Sequence, residues 1–271
     1  MFLSKDFCYL ELHRSASAHI SKLLEKYFPK GKRIGIHDRA DKDTYNSKIF
    51  FLGSIRNPWD WYVSMWAKAC EKRGELYEWT ALKKFRFHRL GLKTKPFLSP
   101  YIFFNQFVKP FKKWNEVYVD PKNLDNFRSW LKLILKDRIH DDGSGFGLSS
   151  IHNFSGQLTY RYLCLFSKRT EDLFNNSISN FDDMKRFDEN YNVLNYVIKL
   201  ENLENDFINF LTKLNMKVDP SEEKLISNLS RTNKSSRINN FIEYYDQESI
   251  DIVYQKERLI IDKYNYDLPK Y

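Results

Sequence analysis

Between residues 48 and 55 the chain reads Lys-Ile-Phe-Phe-Leu-Gly-Ser-Ile, and Arg56-Asn57-Pro58 follows at once. A run this apolar, without polar alternation, needs cover on both faces, which is the condition of a central strand in a parallel sheet. Asn57 can cap a helix, Pro58 suits the first helical position, and Asp60 favours the positive end of the helix dipole. Trp59, Tyr62, Val63, Trp66, Ala67 and Cys70 then make one apolar stripe. The segment predicts a buried strand that stops at an arginine and feeds directly into a helix.

The same device occurs earlier. Phe7-Cys-Tyr-Leu-Glu-Leu12 reads as a buried strand, His13 to Ala18 as a small polar turn, and Ile20, Leu23, Leu24, Tyr27 and Phe28 as a helical stripe closed by Pro29 and Gly31. Arg33-Ile-Gly-Ile-His37 predicts a second short strand ending at His37. Strand and helix alternate, so the first third specifies an α/β fold with a parallel sheet. Further on, a helix is expected over Asn126 to Lys136, another over residues 156–167, a returning strand at Tyr196 to Leu200, a helix carrying Leu203, Phe207, Phe210 and Leu211, and a last helix from about Glu248 to Tyr264. The Lys/Arg/Phe-rich stretch Lys83 to Lys95, the apolar stretch Pro100 to Phe111 and the polar loop with Gly143, Gly145 and Gly147 break the alternation. The reading is one domain over 1–271, with core 5–73 and 156–271 and a largely helical insertion, 74–155, that caps the sheet and would recognise the acceptor.

With 44 Lys and Arg against 35 Asp and Glu, the formal charge of +9 favours anionic partners. The basic residues are dispersed among carboxylates rather than gathered on one helix or tail, which argues against nucleic acid, and a solvated basic surface fits them equally. Cys8, Cys70 and Cys164 form no CxxC pair and no zinc spacing, so they read as buried reduced thiols. No apolar run approaches the roughly 20 residues of a membrane span, and a strand beginning by Phe7 leaves no room for a signal peptide. A cytoplasmic setting is expected.

Turns at the carboxyl ends of neighbouring parallel strands, each opening a helix, suit a phosphorylated ligand, because helix N–H groups and the dipole favour an anion there. The first turn offers Arg14 with the small Ser15, Ala16, Ser17 and Ala18; the second offers Arg56, with Ser64 two helical turns on. The stretch Ile55-Arg-Asn-Pro-Trp-Asp-Trp-Tyr-Val-Ser-Met-Trp66 resembles the 3′-phosphate motif of sulfotransferases that use 3′-phosphoadenosine 5′-phosphosulfate (PAPS), where Arg-(Asp/Asn)-Pro opens a helix and a Ser eight residues after the Arg joins it. The resemblance assigns Arg56 and Ser64 to that phosphate. The first turn is similar to the family's 5′-phosphosulfate loop, a Pro-Lys-Thr-Gly-Gly-Thr-Ser-like segment. His13 then stands at the proline, Arg14 at the lysine, Ser15 at the threonine and Ala16-Ser17 at the two glycines, with Ala18 and His19 leading into the helix. Absence of glycine makes positive φ costly here, and arginine replaces a point charge by a planar fork.

The resemblance implies a P-loop-like three-layer α/β fold, PAPS as co-substrate with no metal required, and a hydroxyl acceptor, of a carbohydrate or glycoconjugate. His37 is the expected general base, since a neutral imidazole accepts a proton near pH 7 and Gly35-Ile-His37 is similar to a Gly-Lys-His-Ala-like stretch of bacterial relatives. Glu11 is the rival base, and as a charge in an apolar strand it needs a partner, for which Arg14 is nearest in sequence. Lys234, Ser235 and Arg237 could reach back to donor phosphates or belong to a solvated basic loop. Thr159-Tyr-Arg161 reads either as adenine or acceptor contact or as core. Two other classes remain open: a P-loop nucleotide kinase, although residues 8–20 hold neither the glycine nor the lysine of the Gly-x-x-x-x-Gly-Lys-Ser/Thr loop, and a non-catalytic polyanion-binding protein.

Overall fold

The structure, a computed structural model, describes residues 1–82, 110–136, 145–219, 236–238 and 240–270 with Pro100, Phe104 and Ile226. Lys83 to Lys95, most of Pro100 to Phe111, Gly143, Lys234 and Ser235 lie outside the described residues. The chain forms two compact units, Met1–Asn57 with Leu158–Lys234, and Pro58–Gln157 with Ser235–Tyr271.

The first unit holds a five-stranded sheet of β1 (Phe2–Leu3), β2 (Phe7–Leu10), β3 (Lys32–Arg33), β4 (Phe50–Ile55) and β5 (Tyr196–Lys199), in the order β3-β1-β2-β4-β5. The apolar run is β4, parallel to β2 on one side and to β5 on the other. The sheet is mixed rather than wholly parallel: β1 runs antiparallel to both β2 and β3. β1 has only two residues, too few for a periodicity to announce it. The expected strand over 33–37 is corrected as well: β3 is Lys32–Arg33, and only Ile34 pairs beyond it, its amide donating to the Met1 carbonyl at 2.8 Å. Ile34 and Ile36 are 46% and 61% exposed, so neither has a core face to hold them in a strand. Gly35 and His37, at φ +66° and +60°, then turn the chain. His37 therefore sits in a turn after an edge strand, not at the end of a parallel one.

On one face of this sheet α1 (Ser17–Tyr27) and α9 (Leu203–Lys213) bury Ile20, Leu23, Leu24, Leu203, Phe207, Phe210 and Leu211 against Phe7, Tyr9, Leu52 and Ile198. Each large apolar side chain so buried is worth roughly 1.5–3 kcal/mol. The opposite face receives Phe166 of α7 (Gln157–Phe166), and Leu194. Gly53 is fixed by that contact, since a Cβ there would stand 2.8 Å from Leu194. Two short helices, α2 (Lys42–Asn46) and α8 (Phe181–Tyr191), complete the unit.

The second unit is helical: α3 (Pro58–Cys70), α4 (Glu75–Thr80), α5 (Phe111–Val117), α6 (Leu124–Leu135) and α10 (Gln247–Tyr264). Its core is aromatic. Trp66 meets the rings of Phe127 and Tyr244 edge-on at 5.4 and 5.7 Å, the geometry that ring quadrupoles favour. Asn123 caps α6 by accepting from the Asn126 amide, and Asp246 with Ser249 forms a capping box on α10. Within α10 the backbone leaves helical geometry at Glu257, whose fully buried carboxylate accepts a hydrogen bond from the Tyr62 hydroxyl.

Candidate active site

The parallel register pairs Leu10 with Gly53, so β2 and β4 end side by side in the first unit. After β2 the turn does what its glycine-free sequence makes expensive. Arg14 and Ala16 adopt φ +61° and +58°, a left-handed conformation that costs an L-residue about 1–2 kcal/mol. Ala16 is the N-cap of α1 with no side-chain cap bond, and its carbonyl accepts from the amides of His19 and Ile20 at 2.9 and 3.0 Å.

A file of buried hydroxyls pins this turn to the sheet. Ser15 Oγ donates to the Leu12 carbonyl at 2.8 Å, and Ser54 Oγ lies 2.8 Å from both Ser15 Oγ and Tyr9 Oη. Each hydroxyl has one proton, so the order is fixed: Tyr9 donates to Ser54, Ser54 to Ser15, and Ser15 to Leu12. The Ser15 side chain is thus spent on holding the turn. Ser17 and His19 are buried on the first turn of α1 and Ala18 is half-buried.

Arg56 follows β4, is 8% exposed, and its Nη1 donates to the Arg14 carbonyl at 3.2 Å. The two strand-end arginines are thereby joined through backbone. The next amide, Asn57, donates to Glu201 Oε1 at 2.6 Å.

The rival carboxylate has a partner other than Arg14. Glu11 is fully buried; Arg33 grips it through Nε to Oε1 at 2.8 Å and Nη2 to Oε2 at 2.7 Å, and Ser21 Oγ donates to Oε1 at 3.0 Å. Burial pushes its pKa up, but the Arg33 hydrogen bonds and the nearby positive charges outweigh burial and hold it below the ordinary value. A carboxylate so paired is a poor proton acceptor, whereas its backbone has a use: the Glu11 carbonyl lies 2.8 Å from His37 Nδ1. A carbonyl only accepts, so Nδ1 carries the proton and Nε2 keeps a lone pair.

The His37 ring stacks on His13, with centroids 3.8 Å apart and planes 20° from parallel. Burial first, then the charges of Arg161, His37 and Arg14, hold His13 well below the ordinary histidine value. Arg161, on α7, is 8% exposed. The first unit therefore assembles Glu11, Arg14, Ser15 to His19, His37 and Arg56, and adds His13, Arg33 and Arg161 to them. No spacing signalled these three as a group, since they come from separate elements.

Ser64 and Arg237 belong to the second unit. Ser64 is buried on α3, and Arg237 pairs with Asp60 at 2.5 Å. Burial pushes the Cys8 thiol up to about 11 and the Cys70 thiol to about 12, so both stay protonated and inert. Among the described residues no group of His, Cys, Asp and Glu could hold a metal ion, and no helix is long and apolar enough to cross a membrane.

Fold and side chains together define a mixed α/β protein in which Arg56, directly after β4, meets the turn that follows β2, and two histidine rings stack on each other. No family model, curated protein or solved structure matches the chain.

Proposed function

We propose that the protein is a PAPS-dependent sulfotransferase of P-loop-like fold, acting in the cytoplasm on a hydroxyl of a carbohydrate or glycoconjugate. The observation that carries the reading is the contact of Arg56, directly after β4, with the Arg14 carbonyl in the turn that follows β2, in the same unit where the Glu11 carbonyl orients His37. Two guanidinium groups suit the phosphates of such a donor, and the turn that carries Arg14 takes positive φ at Arg14 and Ala16 despite lacking glycine.

The donor supplies an activated sulfuryl group. His37 Nε2 takes the proton of the acceptor hydroxyl as its oxygen bonds to sulfur, and the bond from sulfur to the bridging phosphate oxygen breaks in line. Arg14 meets the charge left on that phosphate, and Arg56 holds the 3′-phosphate. His37 is preferred to Glu11 as base because both Glu11 oxygens are already engaged.

The test uses ³⁵S-labelled donor with sugar, lipid and phenolic acceptors. Label should pass to a saccharide hydroxyl; His37→Ala should abolish transfer with donor affinity kept. Arg56→Ala should weaken donor binding about 10- to 100-fold, the scale of a lost charge-assisted hydrogen bond of roughly 1.5–3 kcal/mol. Phosphoryl transfer from ATP with Mg²⁺ would favour a kinase instead, and salt-sensitive binding of any polyanion without transfer would favour a binding protein.

A further inference from the structure

We propose that His13 is a positioning residue of this site: stacked on His37, it fixes the plane of that imidazole, and the two rings form a pair that takes up a single proton, the acceptor's, on His37. The inference rests on reading His37 as the base.

The stack is built from two separate turns. His13 comes from the turn after β2, and His37 from the turn after β3, where Gly35 and His37 both take positive φ. Gly35 takes its positive φ without the steric cost that a side chain would pay, which eases closure of that turn. Positive φ at His37 is a cost the fold bears, and it brings the ring to 3.8 Å from His13. Stacking removes rotation of the ring, and the Glu11 carbonyl fixes its tilt through Nδ1. Nε2 is then held in one direction, which is what proton transfer to a positioned base demands.

Two imidazolium rings at this separation repel strongly, so once His37 has taken a proton the pair resists a second. The groups facing the pair decide where the single proton goes. Arg14 on the same turn and Arg161 on α7 bear on His13 with positive charge, beside the burial that disfavours its cation. His37 instead has a carbonyl on Nδ1 and the Asp38 side chain in its own turn. The Glu11 carboxylate is neutralised by Arg33 and contributes little to either ring. A proton that His37 takes from the acceptor then lies against the face of a neutral aromatic ring.

The experiment is an NMR titration of the imidazole Cε1–H resonances of His13 and His37 in the whole protein, with donor KM and the pH profile of kcat measured alongside. His13→Phe, which keeps a stacked neutral ring, and His13→Leu, which does not, are the variants. The wild type should show His37 titrating while His13 stays neutral to the limit of folding. His13→Phe should keep the His37 titration and turnover, whereas His13→Leu should lower kcat about tenfold or more, with donor KM unchanged and the acid limb displaced. Independent titration of His13 near the ordinary histidine value, or a wild-type kcat and acid limb in His13→Leu, would overturn the proposal. The two readings fail separately: a one-proton pair in a protein that transfers no sulfuryl group removes the base assignment but leaves the pair, while transfer with two independent titrations removes the pair alone.

Discussion

The residues most exposed to test are those whose backbone or charge is held against its preference. Ala16 takes φ +58° where a side chain pays about 1–2 kcal/mol. Ala16→Gly removes that penalty but adds disorder to the unfolded chain, so urea unfolding should show a net gain of up to about 1 kcal/mol; Ala16→Val should lose at least as much. Arg33→Met leaves the Glu11 carboxylate buried without its partner. The loss should be roughly 3 kcal/mol, the low end for a broken buried pair because Arg33 is 29% exposed. The sign of the pH dependence follows from the shift: the folded Glu11 value lies below the ordinary 4.5, so the unfolded chain takes up the proton first. The stabilisation is present above that value and is lost as pH falls through it. His13, also depressed, acts with the same sign in a higher window, costing stability as pH falls below 6.5. Stability curves of wild type, Arg33→Met and His13→Phe between pH 3 and 8 separate the two windows.

At the scale of elements, α10 is pinned where it departs from helical geometry. Tyr62 on α3 donates to Glu257 and accepts from the Gln157 amide at 3.1 Å. Tyr62→Phe deprives both buried partners of that hydroxyl and should cost about 1–3 kcal/mol by denaturant unfolding, with little local change of shape. A cost near zero would mean that water satisfies both groups. The sequence made β4, α3 and α1 legible because burial pattern and end signals agree there, an apolar run before Asn57-Pro58 and a stripe closed by Pro29, while α6 was expected from Asn126 and begins two residues earlier behind a cap at Asn123. β1 and β3 were not legible, because two residues carry no period and Ile34 and Ile36 mimic a strand while lying in solvent. The charged residues at the strand ends could be read one by one. Their groupings could not, since the Arg33–Glu11 pair and the His13–His37 stack depend on turns whose positive φ falls on non-glycine residues. Tyr62 and Glu257, 195 residues apart, are likewise joined only by the folded chain.

For the whole molecule, the formal charge of +9 draws anions in general and selects none in particular. Selectivity has to come from Arg14 and Arg56 at the strand ends, so a ligand bearing the 3′-phosphate should gain affinity that salt alone does not erase. Any ligand that binds only the folded protein raises its melting temperature, by about 2.7 kcal/mol of stability at a hundredfold excess over Kd. The measurement that tests the account most directly is calorimetric titration with adenosine 3′,5′-bisphosphate, set against adenosine 5′-monophosphate and ATP with Mg²⁺, at about 0.15 M salt. The account predicts that the bisphosphate binds at least about tenfold more tightly than either, roughly 1.4 kcal/mol, and that Arg56→Ala abolishes the difference. Equal affinity for the mono- and bisphosphate, or preference for ATP with Mg²⁺, would contradict it.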